Sequence, residues 1–277
     1  MNKPTQCALV LGAHGSLAAS DSNQPLYDLA EAISAKGHFA KVTPAFLNGD
    51  PLMTDFLAHL PTGEVRDVVI VPAMTSVGYY LQSVIPKRIA ENPNHADYRI
   101  FISPVVGMHE KIAMLVTARI DQTMAGDSMT ADDTTVVLVG HGTRRNANSC
   151  KSTYALLEQL KQQRPDLKFD IAFLDQDPEA DAVAQKIDTP HTVVIPFLIS
   201  RGPHTTVDIP EAFGLDAGPQ VQFPNRKQWD DRSGNRICIC DTPIGMYPEI
   251  ADLCVELAMA ELEHGTPIEL GALEQLT

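Results

Sequence analysis

TVVLVGHGTRR, residues 135–145, sets five consecutive apolar or β-branched positions ahead of a polar residue held between glycines, Gly140, His141 and Gly142. Such a run reads as a central parallel strand, buried on both faces and ending in a tight turn. Ligands bind at the carboxyl ends of strands in open α/β sheets, which puts His141 at a ligand crevice. The first half of the chain carries the same phrase, ALVLGAHGS at residues 8–16, with His14 in the equivalent place.

The coincidence extends into a repeat. From His14 to Phe46 is 32 residues and from His141 to Phe173 is also 32, with AFLNGDP answering AFLDQDP. PAMTSVGYYLQSVIP from Pro72 aligns with PFLISRGPHTTVDIP from Pro196, so Gly78 meets Gly202, Tyr80 meets His204 and Pro86 meets Pro210. VGMHEKIA at Val106 answers IGMYPEIA at Ile244. Repeated βα units predict an α/β fold with two pseudo-two-fold-related halves, each a mainly parallel four-stranded sheet flanked by helices, with their crevices facing a common cleft.

Strands are predicted at 7–12, 40–47, 68–71 and 100–103, then at 136–140, 169–174, 192–198 and 236–241. Helices are predicted at 24–36, from Asp50 as N-cap with Pro51 in the first turn, and at 81–91 and 111–122. The second half adds 147–163, 179–187, one from about Asp208, and 248–263. MAGDSMTADDT at 124–134 is polar and aperiodic, as a linker between a domain at 1–123 and one at 135–277.

The 277 residues suffice for one large or two moderate domains, and 44% hydrophobic content excludes a disordered chain. A balance of 35 acidic against 21 basic residues, net −14, argues against a nucleic-acid partner. No apolar run approaches the roughly 20 residues of a membrane span. Strand-like sequence begins within about seven residues of Met1, leaving no room for a signal peptide, and the expected location is cytoplasmic. Five scattered cysteines without a CxxC pair are expected to be reduced thiols.

At the three post-strand positions the first half has His14, Asn48 and Tyr80, whereas the second has His141, Asp175 and His204. Only the second offers two imidazoles and a carboxylate on one sheet edge. That set suits transient binding of a divalent first-row metal, or general acid and base work, or two histidines that merely cap turns at strand ends. Other readings of the HG phrase fit less well. There is no Arg directly before either histidine, no G-x-S-x-G elbow, and no Lys-Ser/Thr after a long glycine run.

VLVGHGTRRNANS, AFLDQDP and FLISRGPHTTVDIP together resemble the CbiX family of sirohydrochlorin chelatases, class II chelatases whose long members are tandem fusions of two units. The resemblance covers nearly the full length. It implies a lyase-type metal chelatase inserting cobalt or iron into sirohydrochlorin, a carboxylate-rich tetrapyrrole, on the way to cobalamin or siroheme. No cofactor is permanently bound; Co2+ or Fe2+, with Ni2+ equally compatible with the donors, is a substrate. His141 and His204 carry over as the catalytic and metal-handling histidines, and Asp175, which falls where family members commonly have Glu, is expected as the third metal residue, holding the ion or orienting a histidine. The acid and the second histidine are replaced in the first half by Asn48 and Tyr80, so that half is expected to have lost catalysis and to serve as the opposite wall, with His14 and Tyr80 against substrate. A non-catalytic metal or tetrapyrrole binder on the same fold is the alternative. No membrane partner is expected, and either a monomer or a homodimer serves.

Arg144, Arg145 and Arg201 flank the two histidines, and Arg144 and Arg201 are the expected contacts for substrate carboxylates. From Pro86 to Gly107 is 21 residues but from Pro210 to Gly245 is 35, so about 14 are inserted around DAGPQVQFPNRKQWDDRSGNR, residues 216–236. This segment holds Trp229, with Arg226, Lys227, Arg232 and Arg236. It is read either as a lid that stacks Trp229 on the macrocycle or as a surface excursion.

Overall fold

The computed structural model describes residues 6–16, 23–61, 63, 65–144, 150–231 and 234–269. The first repeat runs β1 (Cys7–Ala13), α1 (Gln24–Ser34), β2 (Lys41–Phe46), a 3-10 turn at Phe56–His59 and β3 (Asp67–Pro72). A π-turn at Tyr80–Val84 then leads directly into α2 (Ile85–Ala90), followed by β4 (Arg99–Ile102) and α3 (Ile112–Gly126). The second repeat runs β5 (Thr134–Gly140), α4 (Lys151–Gln163), β6 (Lys168–Phe173), α5 (Ala180–Ala184) and β7 (His191–Pro196). A π-turn at His204–Asp208 leads into α6 (Ile209–Ala212), and β8 (Asn225–Asp231), β9 (Gly234–Cys240) and α7 (Ile250–His264) complete it.

The strands form one sheet of order β2-β1-β3-β4 and another of order β6-β5-β7-β9-β8. All pairings are parallel except β8 with β9. Every residue of β1 and of β5 is buried, which is why both read as unbroken apolar runs rather than alternating ones. Cys238 and Cys240 lie in the core cluster beneath the helices of the five-stranded sheet, where burial pushes the Cys238 thiol up to about 12. All five cysteines are free. Among the described residues no helix is long and apolar enough to cross a membrane.

The chain forms two compact units, which differ from the sequence repeats: residues 1–109 with 248–277, and residues 110–247. The helix closing each repeat is a member of the other unit. In the first unit α7 packs on α1, β3 and β4, and the His109 imidazole lies 3.4 Å from Glu256 of that helix. In the second, α3 packs on α4 and β7, and Arg119 of α3 reaches Asp241 at 3.6 Å. Asp241 is only 2% exposed and also accepts a 2.9 Å bond from the Tyr247 hydroxyl. Burial and the neighbouring Asp241 carboxylate hold the Tyr247 phenol well above its ordinary pKa, so it stays a donor. The stretch 124–134 therefore contains the last turn of α3 and the start of β5 as well as polar chain.

Two expectations are corrected. No helix starts at Asp50. Phe46 bridges Leu52, with Phe46 N donating to Pro51 O (2.9 Å) and Met53 N to Phe46 O (2.7 Å), so the chain doubles back alongside the end of β2. Those backbone groups are spent before a helix can use them, and only the 3-10 turn at Phe56–His59 follows. The equivalent bridge joins Phe173 to Glu179. The insertion at 216–236 likewise is no free lid: from Asn225 it pairs with β9 as the fifth strand of its sheet.

The repeated glycines Gly107 and Gly245 wedge the turns after β4 and β9 under the loops after β3 and β7. Gly107 N donates to Met74 O and Gly245 N to Leu198 O, each at 3.0 Å. A Cβ on Gly245 would lie 2.0 Å from the Ile199 carbonyl oxygen, whereas one on Gly202 meets nothing within 4 Å. Gly245→Ala must therefore displace backbone and is expected to cost about 3 kcal/mol in urea unfolding, at the upper end for overpacking. Gly202→Ala should stay within about 0.5 kcal/mol of the parent.

Candidate active site

The site is built where β5 ends. Gly140 is closely packed there: a Cβ would lie 2.7 Å from Thr153 Oγ1 on α4 and 3.1 Å from the Phe173 ring, so either side chain would have to shift. The chain turns at once through Gly142, whose φ is +69°, a left-handed conformation that L side chains rarely adopt. That turn brings the Gly142 carbonyl back to His141 Nδ1 at 2.7 Å. Thr143 N then donates to the Gln176 side-chain oxygen at 3.0 Å, tying the loop to the one after β6. On that second loop Asp175 N donates to His141 O at 3.0 Å, and the Asp175 carboxylate stands 3.5 Å from His141 Nδ1.

His204 enters from the loop after β7, at the first position of the π-turn. The loop is pinned at Gly202, whose carbonyl accepts from both Thr205 Oγ1 (2.9 Å) and Thr206 Oγ1 (3.1 Å). The rings of His141 and His204 meet edge to face, centroids 4.7 Å apart at 86°. His204 Nδ1 donates to Asp208 Oδ2 at 2.6 Å. With Nδ1 of each ring committed as a donor, Nε2 is the nitrogen that carries the lone pair. Both side chains are nearly half exposed, so a ligand can reach them.

His141, Asp175 and His204 are thus brought together as the sequence suggests, with one refinement. Asp175 meets His141 at the nitrogen already bonded to Gly142, on the orienting side of the ring. Among the described residues no three His, Cys, Asp or Glu side chains are closed around a potential ion. Two open imidazole donors, backed by carboxylates, are what the chain itself supplies. Such a pair can hold a divalent ion transiently and can accept protons.

The first unit repeats the geometry with one imidazole, an amide and a phenol in place of two imidazoles and a carboxylate. His14 Nδ1 pairs with Gly15 O at 3.1 Å, Asn48 N donates to His14 O at 2.8 Å, and the Tyr80 ring stands edge to face with His14 at 4.8 Å and 81°. Tyr80 heads its own π-turn, as His204 does.

The expected carboxylate-binding arginines are otherwise engaged. Arg144 pairs with Glu179 at 2.7 Å. Arg201 donates to the carbonyls of Pro219 (2.7 Å) and Val221 (2.6 Å) and lies over the Phe223 ring. It anchors the inserted segment beside the His204 loop. Trp229 sits in β8 and packs on the hydrophobic cluster of its own sheet, with Lys227 over its ring at 5.7 Å. A stacking lid is not formed. Arg226 pairs with Asp127 and Lys227 with Asp216. Arg145 and Arg232 lie outside the described residues. Asp208 is the site residue that sequence reasoning missed, although its position four residues after His204 at a predicted helix start was a usable signal.

The sequence matches the CbiX family over residues 8–123 and again over 135–260, most of the chain. The chain belongs to the CbiX family. A probable sirohydrochlorin cobaltochelatase of Halobacterium salinarum is 32% identical over 224 residues, 74% of this chain and 75% of that one. Among solved structures, a multi-domain protein of Deinococcus radiodurans with structural similarity to chelatases gives a TM-score of 0.71 at 18% identity, over 98% of this chain and 59% of its own. This CbiX chain therefore spans about three-fifths of that protein. SirB from Bacillus subtilis with Fe3+ gives 0.69 at 17% identity, covering 95% of this chain and all of SirB. At these identities the structural likeness establishes the fold.

The left-handed glycines make unequal demands. A Cβ on Gly15 would lie 2.3 Å from the Asn48 carbonyl oxygen, which is backbone, but one on Gly142 would meet Gln176 Cγ at 2.6 Å, a side chain that can rotate. Both alanine variants incur the left-handed strain of roughly 1–2 kcal/mol. Gly15→Ala is expected to lose at least about 1 kcal/mol more than Gly142→Ala in urea unfolding, because its obstacle cannot rotate aside.

Proposed function

We propose that this protein is a sirohydrochlorin metal chelatase, inserting cobalt or iron into the tetrapyrrole with His141 and His204 as the working groups. The observation that carries the reading is the pair of half-exposed imidazoles at 4.7 Å with both Nδ1 atoms tied back, which leaves Nε2 of each ring as the donor to a metal. Family membership and the 32% identical relative named for this activity support it.

Insertion exchanges one divalent ion for two pyrrole N–H protons. The ion sheds water as imidazole Nε2 donors replace it, and it passes to the ring nitrogens as they lose their protons. A released imidazole is then free to take up a proton and return it to solvent. Proximity and proton transfer are the protein's contribution. Asp175, at the Nδ1 side of His141, orients that ring rather than binding the ion. Imidazoles accept cobalt, iron and nickel alike, so metal supply decides among them. The first unit lacks the second imidazole and the acid and serves without delivering metal. Five free thiols, four of them buried, suit a reducing compartment, and we place the chain in the cytoplasm.

Anaerobic insertion of Co2+ and Fe2+ into sirohydrochlorin, followed by absorbance, tests this. The parent should convert many equivalents of ring per protein. His141→Ala and His204→Ala should each reduce kcat at least about 100-fold, the scale of lost acid-base catalysis, and His14→Ala less than about 5-fold. Saturation at one equivalent with no acceleration over the uncatalysed rate would leave a tetrapyrrole binder on this fold.

A further inference from the structure

We infer that Asp208 is a positioning residue that acts through His204, fixing which ring nitrogen faces the metal and holding the ring edge to face with His141. This rests on the chelatase reading for its purpose but not for its geometry. At 2.6 Å the Nδ1–H bond to Asp208 Oδ2 is short, as expected when a carboxylate accepts. It selects the tautomer whose lone pair is on Nε2. Carboxylates in this relation to a metal-handling histidine also make the ring a better donor, and their loss typically lowers metal affinity 10- to 100-fold.

The chain supplies its own control. The first unit builds the same five-residue π-turn, Tyr80–Val84, followed by the same Ile-Pro opening of a helix. Val84 stands there in the place of Asp208, and Tyr80 in the place of His204. An acid at this position is therefore not needed to form the turn. Asp208 is nearly half exposed, and an ion pair so exposed adds little to stability. The carboxylate is present in the unit where an imidazole must be oriented and absent where a phenol takes its place.

The two site histidines are thus oriented by different devices. His141 is hydrogen-bonded by a backbone carbonyl of its own turn, as His14 is in the first unit, with the Asp175 carboxylate farther off at 3.5 Å. His204 projects from a turn that offers its ring no such carbonyl bond and depends on a side chain. A carboxylate polarises an N–H more strongly than a neutral carbonyl, and the carboxylate at His204 is in direct hydrogen-bond contact at 2.6 Å, whereas Asp175 stands 3.5 Å from His141 Nδ1 behind its carbonyl bond.

The test uses the full chain without tetrapyrrole, then with it. Long-range 1H–15N NMR near pH 8, where an ordinary imidazole is neutral, should show His204 protonated on Nδ1. Asp208→Val should shift it toward the Nε2–H form, with His141 as an unchanged internal reference. Asp208→Asn keeps an acceptor oxygen and should keep the tautomer. Co2+ titration should show a 10- to 100-fold weaker Kd for Asp208→Val and a smaller loss for Asp208→Asn. In steady state kcat and the KM for metal should move while the KM for sirohydrochlorin stays. A parent His204 protonated on Nε2, or an Asp208→Val protein with parental tautomer and Co2+ affinity, overturns the proposal whatever its turnover. A parent that shows the tautomer and the Co2+ affinity change but inserts no metal supports the positioning role and removes the chelatase reading instead. If Asp208→Val does not fold, the parent spectrum and Asp208→Asn, whose Kd must weaken without a change of tautomer, decide alone.

Discussion

From Val136 to Val139 β5 is buried on both faces and wholly apolar, and it must end without carrying its backbone groups into the core unpaired. The left-handed turn at Gly142 meets that constraint in a single residue and, in doing so, swings a carbonyl onto the ring of the preceding histidine. One bond thus closes the strand and sets the tautomer of His141. The loops after β6 and β7 are then arranged on that turn, the first through Gln176 and Asp175, the second through the ring of His204. The same physics recurs at Gly15, where the backbone fits so closely against Asn48 that only glycine is accommodated.

Much of this was legible from residues alone, because it follows from local patterns. Doubly buried strands announce themselves as apolar runs, and a repeat at constant spacing transfers the layout of one half to the other. The convergence of His141, Asp175 and His204 required only that all three follow parallel strands of one sheet. What escaped was decided by backbone bonding or by charge pairing at a distance. Asp50-Pro51 has the composition of a helix start, yet the carbonyl of Pro51 and the amide of Met53 are drawn to Phe46. The 216–236 segment is polar because β8 is an edge strand, whose exposed side looks like loop sequence. Arg201 looked available for a carboxylate ligand, but the carbonyls of Pro219 and Val221 claim it, and Arg144 meets Glu179 at the exposed surface.

Comparison of the two units separates scaffold from chemistry. Ring spacing, turn type, the glycine and the doubling back after β2 or β6 are common to both. Imidazole at the π-turn, its carboxylate and the additional strand occur in one. The shared features are those that backbone sterics and hydrogen bonding demand. The unshared ones set a second imidazole and its carboxylate beside His141, or brace the loop that bears them, as Arg201 does by gripping the inserted segment.

The exchange of closing helices has a consequence for the order of biosynthesis. The sheet of the first unit lacks its α7 cover until residues 250–264 have been translated, and Ile268 completes it by bonding the carbonyl of Ile100 at 2.8 Å. The second unit has all of its parts in one uninterrupted stretch, 110–247. The unit with the His141–His204 pair can thus mature while the other, begun earlier, still lacks the helix that packs on β3 and β4. The earliest-made strands are the last to be sealed. Nascent chains of this protein carry their aggregation hazard at the front, and cutting the gene at the boundary between repeats would leave each unit without its own closing helix.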